Sequence, residues 1–235
     1  MRRPWSVVDF VLIWLGGLVG TGLFYAIGTY LGDQDMLVVL SLAGQYIGSL
    51  GVFWLLSRNR SRPVGFSIEP TDIFYVGIGL LLQIVLAAAF FPLSRLLFPD
   101  GAPPQQVVEA LGDIETSTLL RLTLVLAAVL LAPVTEELMY RGVLLRAIEE
   151  RSRRFVMVVT ALVFSLVHVV GLDLERPLAS AAVVLPPIFL LGLVLAWVTL
   201  RHQRLGPAIF IHSGWNLLAV IILLLPQEVL ESPPI

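Results

Sequence analysis

Long apolar runs alternate with short polar breaks along the chain, and the spacing of the breaks predicts its elements. Residues 7–31 and 36–56 form the first two runs, joined by a tight turn containing Gly32, Asp33 and Asp35. A third run, 72–93, ends at Pro92. A fourth starts at 118, passes through a charged patch and ends near 149–154; 155–170, 180–200 and 208–225 follow. Each is of the order of the ~20 apolar residues that cross a bilayer as a helix. Gly16 and Gly20, and Gly44 and Gly48, are spaced four apart, which lets the first two helices approach closely in lipid. The longest polar stretch, 94–117, carries Val107, Val108, Leu111 and Ile114 opposite Glu109 and Asp113, a pattern that predicts a short helix lying on the membrane surface.

Composition narrows the class. The chain is 57% hydrophobic and only 14% charged, with a mean hydropathy of +0.91. Soluble domains carry roughly 25% charged residues. The expected fold is an all-α polytopic membrane protein, a single integral domain over 1–235. The first run is too long for the core of a signal peptide. Without cysteine, thiolate catalysis and cysteine-held metals are excluded; without lysine, so is Schiff-base chemistry. All fifteen cations are arginine, a composition that suggests a bacterial inner (cell) membrane.

Arginine placement orients the spans. With the N-terminus in the cytoplasm, the cytoplasmic segments hold Arg2, Arg3, Arg58, Arg60, Arg62, Arg151, Arg153, Arg154, Arg201 and Arg204. The opposite side holds Arg95 and Arg176 among many acids. Seven spans, N-terminus inside, satisfy the rule.

The charged patch in the fourth run is Ala-Pro-Val-Thr-Glu-Glu-Leu-Met-Tyr-Arg, 132–141. A charge at that depth costs at least a few kcal/mol unless it is paired or faces a wet cavity. Pro133 removes one helix hydrogen bond and predicts a kink before Glu136. Glu137 and Arg141, four apart, can pair on one helix face; Glu136 points roughly 100° away and is free for another task. At about 1.5 Å per residue, Glu136 and His168 lie ~20 Å from the cytoplasmic ends of their helices, His212 about 8 Å and Asn216 about 13 Å. Three helices thus bring buried polar groups into one slab, from the cytoplasmic half to the midplane. Phe164, one turn before His168, sets an aromatic ring beside it. His202 lies among loop arginines and is read as a surface residue. Taken singly, each membrane histidine or the Glu–Arg pair is as readily a packing group; jointly they read as a site.

EELMYR, FSLVH and HSGWN, in that order on the fourth, fifth and seventh spans, resemble the Glu-Glu-x-x-x-Arg, Phe-x-x-x-His and His-x-x-x-Asn motifs of the CPBP (CAAX protease and bacteriocin-processing, Rce1-like or Abi) family of intramembrane proteases. The likeness makes 118–218 the expected catalytic core. Relatives commonly have eight spans where the pattern here gives seven.

The resemblance implies an intramembrane endopeptidase with its active site in a membrane-embedded cavity. Glu136 would activate a water, His168 would help hold it, and His212 and Asn216 would donate to the oxyanion; Glu137, Arg141 and Phe164 would support them. Glu136, His168 and His212 are also the donor set of a catalytic zinc site, but Asn216 suits an oxyanion better than a metal, so a site without a cofactor is favoured and zinc is the alternative. The expected partners are a membrane-anchored peptide or protein and the bilayer, with no nucleic acid. The competing readings are a proton-coupled transporter and a non-catalytic immunity or binding protein of the same fold. Against the transporter, the chain carries no evident internal repeat.

Overall fold

The computed structural model describes residues 3–61, 63–99, 117–172 and 175–224. Within them the chain is helical. The helices are α1 (Val7–Leu31), α2 (Gln34–Ser57), α3 (Tyr75–Leu97, entered through a 3-10 turn at Pro70–Phe74), α4 (Thr118–Ala147), α5 (Arg153–Leu166, continued by a 3-10 turn at Val167–Gly171), α6 (Pro177–His202) and α7 (Gly206–Leu224). Among the described residues five stretches are long and apolar enough to cross a membrane: α1, α2, α3 with its 3-10 entry, α4 and α6. Their outer faces expose large apolar side chains, such as Leu23 at 61% and Phe91 at 62%. Lipid, not water, suits such surfaces. The chain is an all-α polytopic membrane protein. The surface helix expected around 107–114 falls outside the described residues.

Two boundaries differ from the sequence reading. Pro92 does not end α3, which continues to Leu97. A proline there removes one backbone donor, a loss that membrane helices tolerate where neighbours or local adjustment compensate. The α-helical part of α5 is only 14 residues, about 21 Å, short of a ~30 Å hydrocarbon core. The 3-10 turn at Val167–Gly171 rises faster per residue and extends it to about 30 Å. His168 sits in that turn.

The helix ends sort into two groups. Arg3 pairs its backbone with Asn59 and Ser61, Leu205 N–H donates to the Gly65 carbonyl, and Arg146 bonds Gln203. The N-terminal strap and the α2–α3, α4–α5 and α6–α7 connections therefore share one end. At the other, Ser117 N–H donates to Asp35 and Arg176 reaches the Leu97 carbonyl.

α1 and α2 cross at the paired glycines. A Cβ built on Gly20 or Gly44 would collide with the other's backbone carbonyl, so only glycine admits this approach. α3 and α7 touch the same way, Gly79 against Ile211 and Gly214 against Val76. α1 in turn packs on the Leu138–Leu144 segment of α4, with Phe10 edge-on to Tyr140 at 5.2 Å. The core gathers around that segment, α6 and the first turns of α7.

The start of α7 is pinned. Arg204 donates to the fully buried Asp72 at 2.5 Å and to Glu69 at 3.1 Å, and the Asp72 bond pushes the Arg204 guanidinium above its usual range. This anchor fixes the register from which His212 and Asn216 project.

Candidate active site

α4 is not a uniform helix. Ala127–Leu131 and Leu138–Leu144 are π-helical turns that flank a six-residue α-helical piece, Ala132–Glu137. π turns leave carbonyls without their ordinary donors. In the first, Ala132 N–H donates to Ala127. The next donor along would be Pro133, which has no N–H. The Ala128 carbonyl is therefore left over, and Asn216 of α7 donates its side-chain amide to it at 2.8 Å. The kink expected at Pro133 is a wider turn, held by a side chain from another helix. One N–H of the Asn216 amide remains.

Glu137 and Arg141 are both fully buried and paired at 2.9 Å, as their spacing predicted. Arg141 also donates to the Gly192 carbonyl at 3.2 Å and lies over the Phe164 ring at 4.4 Å. The same Glu137 oxygen accepts from His212 Nδ1 at 3.0 Å. A carboxylate already bound to a guanidinium is ionised and only accepts, so His212 carries its proton on Nδ1. Its Nε2 turns towards Glu136, 3.8 Å from Oε2.

Glu136 faces differently. Its side chain is 30% exposed, against 0% for Glu137, and its Oε2 has no hydrogen-bond partner.

His168 Nδ1 meets the Phe164 carbonyl at 2.8 Å. A carbonyl only accepts, so this nitrogen too is the protonated one and Nε2 keeps its lone pair. Phe164 is the shared wall: His168, His212 and Tyr140 stand edge-on to it at 5.1, 5.5 and 5.2 Å. The three sequence motifs thus meet at Phe164 and Glu137. His202 lies outside, bonded to the Tyr75 hydroxyl at 3.0 Å.

Among the described residues no three His, Asp or Glu side chains gather closely enough to hold one ion, Glu136, His168 and His212 included.

Residues 118–218 match the family described as type II CAAX prenyl endopeptidase Rce1-like. The matched segment covers less than half of the chain and carries all three motifs, in agreement with the resemblance read from them. No curated protein and no solved structure gives a significant match.

Proposed function

We propose that this protein is an intramembrane endopeptidase that cleaves a peptide bond in a membrane-anchored peptide or protein, using a water activated by Glu136. The observation that carries the reading is His212, held by Glu137 through one nitrogen and turned towards Glu136 through the other. Glu136 has a carboxylate oxygen with no partner and a side chain that is 30% exposed, as a base that must take up a water requires. It removes a proton from the water, and the hydroxide oxygen bonds to the substrate carbonyl carbon. The His168 Nε2 lone pair orients the water by accepting its second hydrogen. Nδ1 of His212 stays donated to Glu137; Nε2 donates to the oxyanion only once it takes up a proton from the site, and the second N–H of the Asn216 amide donates beside it. Collapse of the intermediate breaks the C–N bond, and the proton on Glu136 passes to the leaving nitrogen. Arg141 neutralises Glu137, so that this buried carboxylate orients His212 without competing for the water.

Substrate enters, in this reading, from the arginine-rich end of the helices, in a bacterial inner membrane. Cleavage of membrane-anchored peptides by the protein reconstituted in liposomes tests it. Glu136→Gln is expected to abolish cleavage; a wild-type rate in that variant overturns the mechanism. Cleavage that survives EDTA and is lost in His212→Ala supports the metal-free route. Cleavage lost in EDTA and restored by zinc overturns that route.

A further inference from the structure

A cavity of about 570 Å³ opens at the arginine-rich end, between the start of α1, the end of α2, the segment that follows it and Leu138 of α4. Its walls are Trp5, Leu50, Phe53 and Val64, its floor includes Leu138, and Arg60 lines its polar part. The walls are ordered: Trp5 stacks on Phe53 at 5.7 Å, and the Arg60 guanidinium lies over Trp5 at 5.6 Å. Arg60 binds the buried Asp9 through one terminal nitrogen, yet its Nε is buried with no partner. Arg3 pairs its backbone beside Arg60, and Arg58 caps Trp54 at 5.0 Å. Arg60 is the cationic residue among those that line the cavity; Asp9 holds one of its terminal nitrogens, and its partnerless Nε leaves a donor for an anion.

Depth decides what can fill it. The cavity lies where α1 begins and α2 ends, the level at which tryptophan and arginine meet lipid headgroups. An apolar hollow beside lipid is surrounded by acyl chains, and phosphates lie at the level of Arg60. Its volume is within the roughly 300–1,000 Å³ of sites that hold small ligands, too small for a whole two-chain lipid.

We propose that this cavity binds an anionic glycerophospholipid, its phosphate held at Arg60 and the Ser61 hydroxyl and the upper part of one acyl chain lying over Phe53, Leu50, Val64 and Leu138. The proposal does not depend on the hydrolysis above. It would, however, place a lipid against the residue that follows Glu137, in the segment that orients His212.

The test is native mass spectrometry of the full chain, delipidated in detergent and titrated with dioleoyl phosphatidylglycerol, dioleoyl phosphatidylcholine, dioleoylglycerol or glycerol phosphate. One phosphatidylglycerol is expected to bind about tenfold more tightly than phosphatidylcholine or dioleoylglycerol, and glycerol phosphate is expected not to displace it. Leu50→Trp, which fills the hollow, should weaken that binding at least about tenfold. The double variant Asp9→Asn/Arg60→Gln, which removes the charge without stranding a carboxylate, should do the same. Equal binding of the three lipids overturns the proposal. So does unchanged binding in a folded Leu50→Trp, which would mean annular lipid only, or displacement by glycerol phosphate, which would mean a free-phosphate site.

Discussion

The Glu137 carboxylate and the His212 imidazole, 75 residues apart in sequence, meet at 3.0 Å through an oxygen that also accepts from Arg141. This one acceptor ties the charged patch of α4 to the first turns of α7. Replacing Glu137 by Gln keeps the shape, strands the buried Arg141 charge and lets the His212 tautomer change. Stability should fall by about 3–5 kcal/mol, the usual cost of breaking a buried pair. Adding Arg141→Met removes the stranded charge and should recover most of that loss. Cleavage should stay about 10²–10⁴-fold down in both, because the histidine is no longer oriented. Thermal unfolding in detergent read beside peptide hydrolysis separates the two effects; if the double variant regains activity with stability, the orienting role is wrong.

Asn216 and Pro133 should be energetically coupled. Asn216→Ala leaves the Ala128 carbonyl unsatisfied, at a cost of about 1–3 kcal/mol. Pro133→Ala restores a backbone N–H at the position that lacks one, so the loss should be smaller in the double variant than in Asn216→Ala alone. A double-mutant cycle by thermal unfolding measures this. Additive losses would mean that the amide does not replace the missing proline donor.

These two relationships mark where the sequence ran out. The apolar helices, the paired glycines and the Glu137–Arg141 pair are local or periodic, and a helix period of 3.6 makes them legible. That Glu136 and Glu137 point different ways was legible for the same reason, and the exposures of 30% and 0% agree. The sharing of Glu137 between Arg141 and His212 was not, because it depends on which helix neighbours α4. Nor was the Ala128 carbonyl: Pro133 announces a missing donor, but only the packing of α7 says who replaces it. The π turns, and the change of helix type at His168, have no propensity signal at all.

The α1–α2 crossing gives a packing prediction with its own control. Gly48→Ala places a methyl on the Gly16 carbonyl, and the helices must separate. Gly22, on the same pair but with nothing within 4 Å of a built Cβ, should accept alanine at no cost or with a small gain in helix propensity. Because α1 also packs on Leu138–Leu144, the Gly48 variant should lose cleavage as well as stability. Equal unfolding temperatures for the two variants would contradict the close crossing.

Phe164 is the last residue to separate packing from chemistry. It is 1% exposed, and both histidines and Arg141 rest on its ring. Phe164→Ala should cost about 3–5 kcal/mol as a buried large-to-small change. Phe164→Leu keeps most of the volume and should cost less than about 1.5 kcal/mol. Leucine has no face for a guanidinium and no flat wall for two imidazoles, so cleavage in Phe164→Leu should drop by much more than its stability explains, about tenfold or beyond. Phe164→Tyr, which keeps a flat face, should retain more activity than leucine despite a hydroxyl to accommodate. Rates measured at one temperature, well below all three unfolding midpoints, make the comparison; if they follow stability alone, with leucine the best of the three, Phe164 fills space and orients nothing.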